Sequence, residues 1–383
     1  MLLYKNYILY FLLQKCEGIR LEYNTQEEGR KIIVKQFYGK SESGNLKEAV
    51  RGLQQPEMLF LMSNADQFEV HVAELEQLYP GVPSIGCIGM SYDTKVVEKG
   101  VGIVAFTGVT AAANVLEQVS VMPVKYIERL QMDVKKVGAT ERDTVCIDFC
   151  AGNDACVLST MYSVLGKSCI QLMGGTGDGG KVSANGKIYN DAVAYALVKN
   201  QGGKVKVYKE NMYRPLGDYR LIASKTDKSK YYIGELNGKP AKQVYEDILH
   251  IKEKDITTQT FKNPFGKVQG DDVCIISIKE VVGNGLACFR QVNDSDVLTM
   301  LELRDYQKIV EETIQNMKQD FSHISGIFSV NCLFRYLLFT QNHNMQQYLD
   351  SMSVVGNHAG LIGYGEHCNN QFVNQSMTCV VFE

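Results

Sequence analysis

Two short stretches near the C-terminus hold the residue types best suited to chemistry. Asn331-Cys332-Leu333-Phe334-Arg335 follows one apolar run, and Gly363-Tyr364-Gly365-Glu366-His367 follows the next. If a helix begins at Cys332, its free amides and dipole favour a thiolate or an anionic ligand there. Arg335 adds a fixed positive charge close by. A guanidinium, a carboxylate and an aromatic ring together suit a zwitterion such as an amino acid. Asn331, Cys332, Arg335, Tyr364 and Glu366 are therefore the candidate ligand-binding set. The same two charges can also satisfy each other, so an Arg335–Glu366 salt bridge is the alternative. Nucleophilic catalysis by Cys332 needs a base within hydrogen-bond reach, normally histidine. His358 and His367 lie in the same stretch, but spacing alone brings neither to the thiol. The expectation is binding rather than turnover, with a cysteine-dependent enzyme as an alternative.

Gly175-Thr176-Gly177-Asp178-Gly179-Gly180 satisfies a GxGxxG pattern after a strand. A dinucleotide site also needs the last glycine to open a helix that holds the pyrophosphate. Here Val182-Ser183-Ala184-Asn185-Gly186 follows and reads as a hairpin, so that reading fails. Gly175 and Gly177 remain candidates for an amide-rich rim to a ligand, with a plain tight turn as the alternative. The six histidines have no standard metal spacing, and no CxxC pair is present. No cofactor is expected. The alternative is a haem with His358 or His367 as its single axial ligand, held non-covalently because no CxxCH occurs.

The elements that position these residues recur three times. Each copy reads as an apolar strand, a helical stretch, a second apolar strand, a glycine-containing turn and a closing strand. The copies open at Met58–Met62, Val145–Asp148 and Ile327–Val330. They turn at Gly86-Cys87-Ile88-Gly89, Gly174-Gly175-Thr176-Gly177 and Gly363-Tyr364-Gly365-Glu366. They close at Val101–Phe106, Ala192–Val198 and Met377–Phe382. A strand, crossover helix and strand pair in parallel, and the short turn should add an antiparallel neighbour. The expected fold is α/β with α+β character: βαββ units in mixed sheets packed with helices. Val70, Ala73, Leu75 and Leu78 mark the helix of the first copy. Asn237-Gly238 and Gly283-Asn284-Gly285 predict hairpins between the second and third copies. Pro240-Ala241 opens a helix with Val244, Ile248 and Ile251 on one face, and 301–318 reads as a long helix. The chain divides into an extension (1–54), an N-terminal part with two repeats (55–212) and a C-terminal part with the hairpin-rich insert and third repeat (213–383). Both loops of the third copy leave the carboxyl ends of parallel strands, where open α/β sheets bind ligands.

Composition narrows the partners. The 383 residues are 45% hydrophobic and 22% charged, with a net charge of −3 and no basic stripe. Nucleic acid is therefore not an expected partner, since phosphate neutralisation needs clustered Lys and Arg. Eleven cysteines sit largely in apolar runs, which suits free thiols in a reducing cytoplasm better than a disulfide framework. The run Tyr7–Leu13 is too short to span a bilayer as a helix and lacks a small-residue cleavage site.

The ordered blocks resemble the FIST sensory family, across both its N- and C-terminal regions, from about Pro56 to the C-terminus. Leu172-Met173-Gly174-Gly175 with Ala192-Val193-Ala194 is similar to the family's double-glycine segment. Leu216-Gly217, then Glu235–Ala241 and Val244-Tyr245, resembles the junction into the C-terminal half. Ile327-Phe328-Ser329 with Cys332 and Arg335, then Gly360 to Glu366 and Asn374, resembles the closing signature. The resemblance implies a sensory role in signal transduction and a small ligand, amino acids among them. It also implies the alternative of a haem-based nitric-oxide sensor acting on a separate kinase or cyclase. The chain carries no recognisable output domain, so it is expected to signal through a separate protein or to act as a free-standing binder.

Overall fold

The repeated apolar runs form strands and the segments between them form helices, in the part of the chain that the computed structural model describes: residues 32–383 apart from 153, 270 and 271. The N-terminal apolar run lies outside the described residues. The first repeat comprises β1 (Lys35–Ser41), α1 (Leu46–Ala49), β2 (Met58–Ser63), α2 (Phe68–Leu78), β3 (Ser84–Ile88), the hairpin β4 (Met90–Tyr92) and β5 (Val96–Val97), and β6 (Val101–Thr107). The second comprises β7 (Val109–Glu117), α3 (Ile127–Val137), β8 (Thr144–Cys150), α4 (Asp154–Leu165), β9 (Gln171–Thr176), the hairpin β10 (Asp178–Ala184) and β11 (Lys187–Asn190), and β12 (Ala192–Asn200).

The third repeat begins with β13 (Val205–Asn211) and is then interrupted. The insert holds β14 (Tyr213–Pro215), β15 (Leu221–Asp227), β16 (Tyr232–Leu236), β17 (Lys239–Pro240), α5 (Ala241–Leu249), α6 (Ile256–Gln259), β18 (Phe265–Gln269), β19 (Asp272–Ile276), β20 (Ile278–Val282), β21 (Gly285–Cys288) and β22 (Val297–Leu303). Its nine strands form a separate sheet with its own core. The repeat resumes with α7 (Tyr306–Asp320), β23 (Gly326–Cys332), α8 (Leu333–Gln341), α9 (Met345–Ser353), β24 (His358–Gly363), the hairpin β25 (Glu366–Cys368) and β26 (Gln371–Val373), and β27 (Ser376–Phe382).

In all three repeats the opening and helix-following strands are parallel, and the closing strand lies antiparallel on the other side of the opening strand. Strands β1, β7 and β13 complete that edge. The fourth neighbour differs from the simple expectation. Each hairpin leaves its own repeat and pairs with the helix-following strand of another. The β4–β5 hairpin joins β24, the β10–β11 hairpin joins β3, and the β25–β26 hairpin joins β9. The exchange is cyclic, so no repeat completes a sheet alone.

Each exchange passes over a glycine. Gly86 lies between Leu61 and Ser183, Gly174 between Asp148 and His367, and Gly360 between Ser329 and Tyr92. The third repeat's counterpart of Gly86–Gly89 and Gly174–Gly177 is therefore Gly360–Gly363, three residues before the sequence alignment put it. Gly174 and Gly175 lie within β9 rather than in a turn.

The three sheets turn one face each toward a shared core, where Phe60, Phe149 and Phe328 meet with ring centroids 5.0–6.3 Å apart. Helices cover the outer faces. Helix α2 buries Phe68, Val72 and Leu75 together with His71, while Val70 is 64% exposed and Leu78 also faces outward. Its apolar face thus starts two residues earlier than the periodicity from Val70 suggested. The expected 301–318 helix begins only at Tyr306. Residues through Leu303 continue β22, and Asp305 caps the helix by accepting from the amides of Gln307 and Lys308. The Asn185-Gly186, Asn237-Gly238 and Gly283-Asn284 turns and the start of α5 after Pro240 follow the sequence reading.

Candidate functional site

Cys332 ends β23 and caps α8, as its spacing suggested. It is not poised as a thiolate. Burial raises its pKa well above the ordinary thiol value, and the nearby Glu366 raises it further, outweighing the amides of Phe334, Gln375 and Arg335. The Gln375 amide donates to its Sγ at 3.2 Å. Glu366 is fully buried and accepts from the Ser376 amide (3.2 Å) and hydroxyl (2.9 Å). Burial pushes its pKa up to about 8, against the lowering effect of those bonds. The structure thus brings Cys332 and Glu366 together, both enclosed.

Arg335 goes elsewhere. It pairs with Glu210 of β13, both side chains are fully enclosed, and the rings of Phe339 and Tyr348 lie 4.9 and 5.1 Å from its guanidinium carbon. The alternative Arg335–Glu366 salt bridge does not form. Hairpin exchange carries Glu366 into the second sheet, whereas Arg335 stays beneath α8 in the third. Asn331 is buried on β23, and among the described residues neither of its amide atoms finds a partner. Tyr364 is 46% exposed and donates to Asp178 Oδ2 at 3.2 Å. A Cβ on Gly175 would stand 2.5 Å from the Gly365 carbonyl oxygen, and one on Gly177 would stand 2.8 Å from Cys87 Cβ. The space at both glycines is taken up by other parts of the chain.

The second repeat holds a constellation that the sequence did not reveal. His367, on the exchanged strand β25, reaches across Gly174 to Asp148 on β8, with Nδ1 to Oδ2 at 2.7 Å. Its Nε2 lies 3.2 Å from Asp154 Oδ1 at the start of α4, and Thr176 Oγ1 donates to the same oxygen at 2.7 Å. Burial alone would lower the His367 pKa, but the two carboxylates outweigh it and raise the value to about 10. The imidazolium is the resident form, donating to both aspartates. Burial likewise resists ionisation of Asp154, and the bonds from His367 and Thr176 overcome it and hold its pKa below the usual value. Gly174 makes room for this bridge: a Cβ there would stand 2.2 Å from the Asp148 carbonyl oxygen and 2.4 Å from its Oδ1. Gly174→Ala is expected to lower stability by about 1–3 kcal/mol through overpacking, measured by denaturant unfolding. An unchanged midpoint would show that the bridge needs no glycine.

Asp154 also lines a cavity of about 390 Å³ beside the start of α4. The insert supplies Tyr231, Lys267, Phe289 and Arg290, and the exchanged hairpin supplies Phe372. Arg290 Nη1 donates to the Phe372 carbonyl at 2.5 Å, and its guanidinium lies over the Phe372 ring at 5.5 Å. Lys267 pairs with Asp296 at 2.6 Å. A larger cavity, about 740 Å³, opens at the edge of the first sheet. Its charged lining residues are Lys35 and Glu57, and Glu57 accepts from the Val109 amide at 2.9 Å. It lacks the convergent charges and rings of the smaller cavity.

A haem does not fit either histidine considered for it. Both ring nitrogens of His367 are bonded to aspartates. His358 bonds Ser329 through Nε2 at 2.7 Å, and the rings of Tyr92 and Tyr348 pack against it at 5.4 and 6.1 Å, filling the space a porphyrin would need. Among the described residues, no group of three or more His, Cys, Asp or Glu side chains is placed to hold a metal ion.

The architecture is that of a mixed α/β protein whose second repeat and insert together line an open, charged, aromatic cavity. A FIST N domain model matches residues 58–239, and a FIST C domain model matches residues 241–369. The chain belongs to the FIST family, whose domains are associated with sensory and signal-transduction roles. No curated protein matches it significantly. The cavity draws Asp154 and Tyr231 from the first matched region and Lys267, Phe289 and Arg290 from the second.

Proposed function

We propose that this protein is a small-ligand-binding sensor and that its ligand is a zwitterion of the amino-acid class, held in the cavity between α4 and the insert. The observation that carries this reading is the placement of Asp154, Arg290 and Lys267 around one aromatic-walled space of about 390 Å³. A guanidinium has five N–H donors in a fixed fork, and one here is used on the Phe372 carbonyl. The rest suit a carboxylate, while Asp154 suits an ammonium group. The Asn331–Arg335 and Tyr364–Glu366 segments then serve to hold the exchanged hairpin, whose strands carry His367 and Phe372. A ligand touching both matched regions would stabilise one arrangement of the two, which is the differential binding that sensing requires. The output passes to a separate signalling protein in the cytoplasm. No helix among the described residues is long and apolar enough to cross a membrane.

The test is a thermal-shift screen of the twenty amino acids against wild type and Arg290→Ala. Losing a charge-assisted hydrogen bond should weaken binding by about 1.5–3 kcal/mol, a tenfold loss of affinity or more. Arg290 is partly exposed, so the unliganded melt should barely move. A wild-type shift that persists undiminished in Arg290→Ala would place the ligand elsewhere.

A further inference from the structure

The cavity wall also carries information about the ligand's side chain, on the reading that the cavity is the ligand site. Two of its aromatic residues keep nearly half their surface exposed: Phe289 at 44% and Tyr231 at 47%. The backbone beneath both residues is tied to its neighbours. The Cys288 amide donates to the Tyr231 carbonyl at 2.9 Å, and the Phe289 amide donates to the Ser277 carbonyl at 2.9 Å. The Phe289 ring stands edge-on to Phe334, with centroids 5.0 Å apart and planes at 74°. Tyr231 adopts φ 51°, in the left-handed region that bulky residues rarely occupy. That conformation closes the 3-10 turn Lys228–Lys230, and the Tyr231 amide donates to the Lys228 carbonyl.

We infer that the cavity selects amino acids with an aromatic side chain, the carboxylate lying on Arg290 and the ring against Phe289 and Tyr231. An aliphatic side chain would gain area burial from these walls. A planar ring gains in addition the edge-to-face or offset attraction between quadrupoles. Arg290 is itself laid over Phe372, so the charge that takes the carboxylate is already oriented on an aromatic face.

The discriminating comparison is L-phenylalanine against L-cyclohexylalanine, which keeps the size and both charges and removes the π system. Calorimetric titration of the full chain should show phenylalanine binding about three- to tenfold tighter. L-Leucine should be weaker than both. Phe289→Leu should shrink the preference for phenylalanine over cyclohexylalanine, while the unliganded melt falls only by the loss of the edge-on contact with Phe334. If cyclohexylalanine or leucine binds as tightly as phenylalanine, the aromatic selectivity is overturned and the cavity reading survives. If no member of a wider amino-acid panel binds, the cavity reading falls and this inference falls with it.

Discussion

Arg335→Ala is expected to lower the stability of the folded chain by about 3–5 kcal/mol, the characteristic loss when one partner of a buried ion pair is removed. Glu210 would be left fully enclosed without its cation, and the space between Phe339 and Tyr348 would be left partly empty. Among the described residues Arg335 Nε and Nη1 have no hydrogen-bond partner, so the pair is not fully satisfied even in the native state. The double replacement Arg335→Met with Glu210→Leu should therefore recover much of the loss, because apolar groups of similar volume often substitute for a buried pair at little cost. Denaturant unfolding of the two variants measures this. A loss under about 1 kcal/mol for Arg335→Ala would indicate a solvated charge, and would return the residue to the list of ligand contacts.

The second large effect belongs to His367. His367→Ala should cost about 3–5 kcal/mol, since it strands the buried Asp148 and removes the bridge to Asp154. The same group makes stability depend on pH. Its pKa is 6.5 unperturbed and about 10 when folded, so the folded state holds the extra proton between those values. Its contribution is complete below pH 6.5 and is lost as pH rises toward 10. Glu366 acts in the same direction over a lower window, from 4.5 to about 8, because burial favours its neutral acid. His358 acts oppositely: burial lowers its pKa from 6.5 to about 3, so acid in that interval favours the unfolded chain. From these three groups stability should rise to about pH 4.5, stay level to about 6.5 where Glu366 and His358 offset each other, and decline toward alkaline pH. Glu366→Gln, which imitates the neutral acid, should make stability rise between about pH 4.5 and 6.5, roughly halve the decline between about 6.5 and 8, and leave the decline above pH 8. A pH–stability profile that rises steadily from pH 6 to 9 would contradict both assignments.

The repeat architecture was legible in the sequence because fully buried strands appear as apolar runs, although the glycines read as turns lie largely within the helix-following strands. Asn185-Gly186, Asn237-Gly238 and Pro240 carry their turn and start signals locally, and the structure follows them. What stayed hidden depends on partners far away in the chain. His367 and Asp148 are 219 residues apart, and only the hairpin exchange places them across Gly174. The position of Gly174 had a sequence signal, the double glycine, but its reason is a side chain from another repeat. Arg335 and Glu366 appeared as neighbours because both follow parallel strands of one repeat. The exchange sends Glu366 to a different sheet, and Arg335 meets Glu210 from the strand before the insert. The cavity was invisible for a related reason: its Arg290 and Phe289 follow an ordinary hairpin strand, and nothing in their spacing points to Asp154.

The most direct test of the ligand site is hydrogen exchange on the full chain, with and without a saturating mixture of the twenty amino acids. The cavity reading predicts slowed exchange in residues 288–293, at the start of α4 and along 371–373. It predicts no change at 331–336, where the backbone is already enclosed. Protection confined to 331–336 and 364–366, with 288–293 unaffected, would place the ligand in the third repeat and contradict the account.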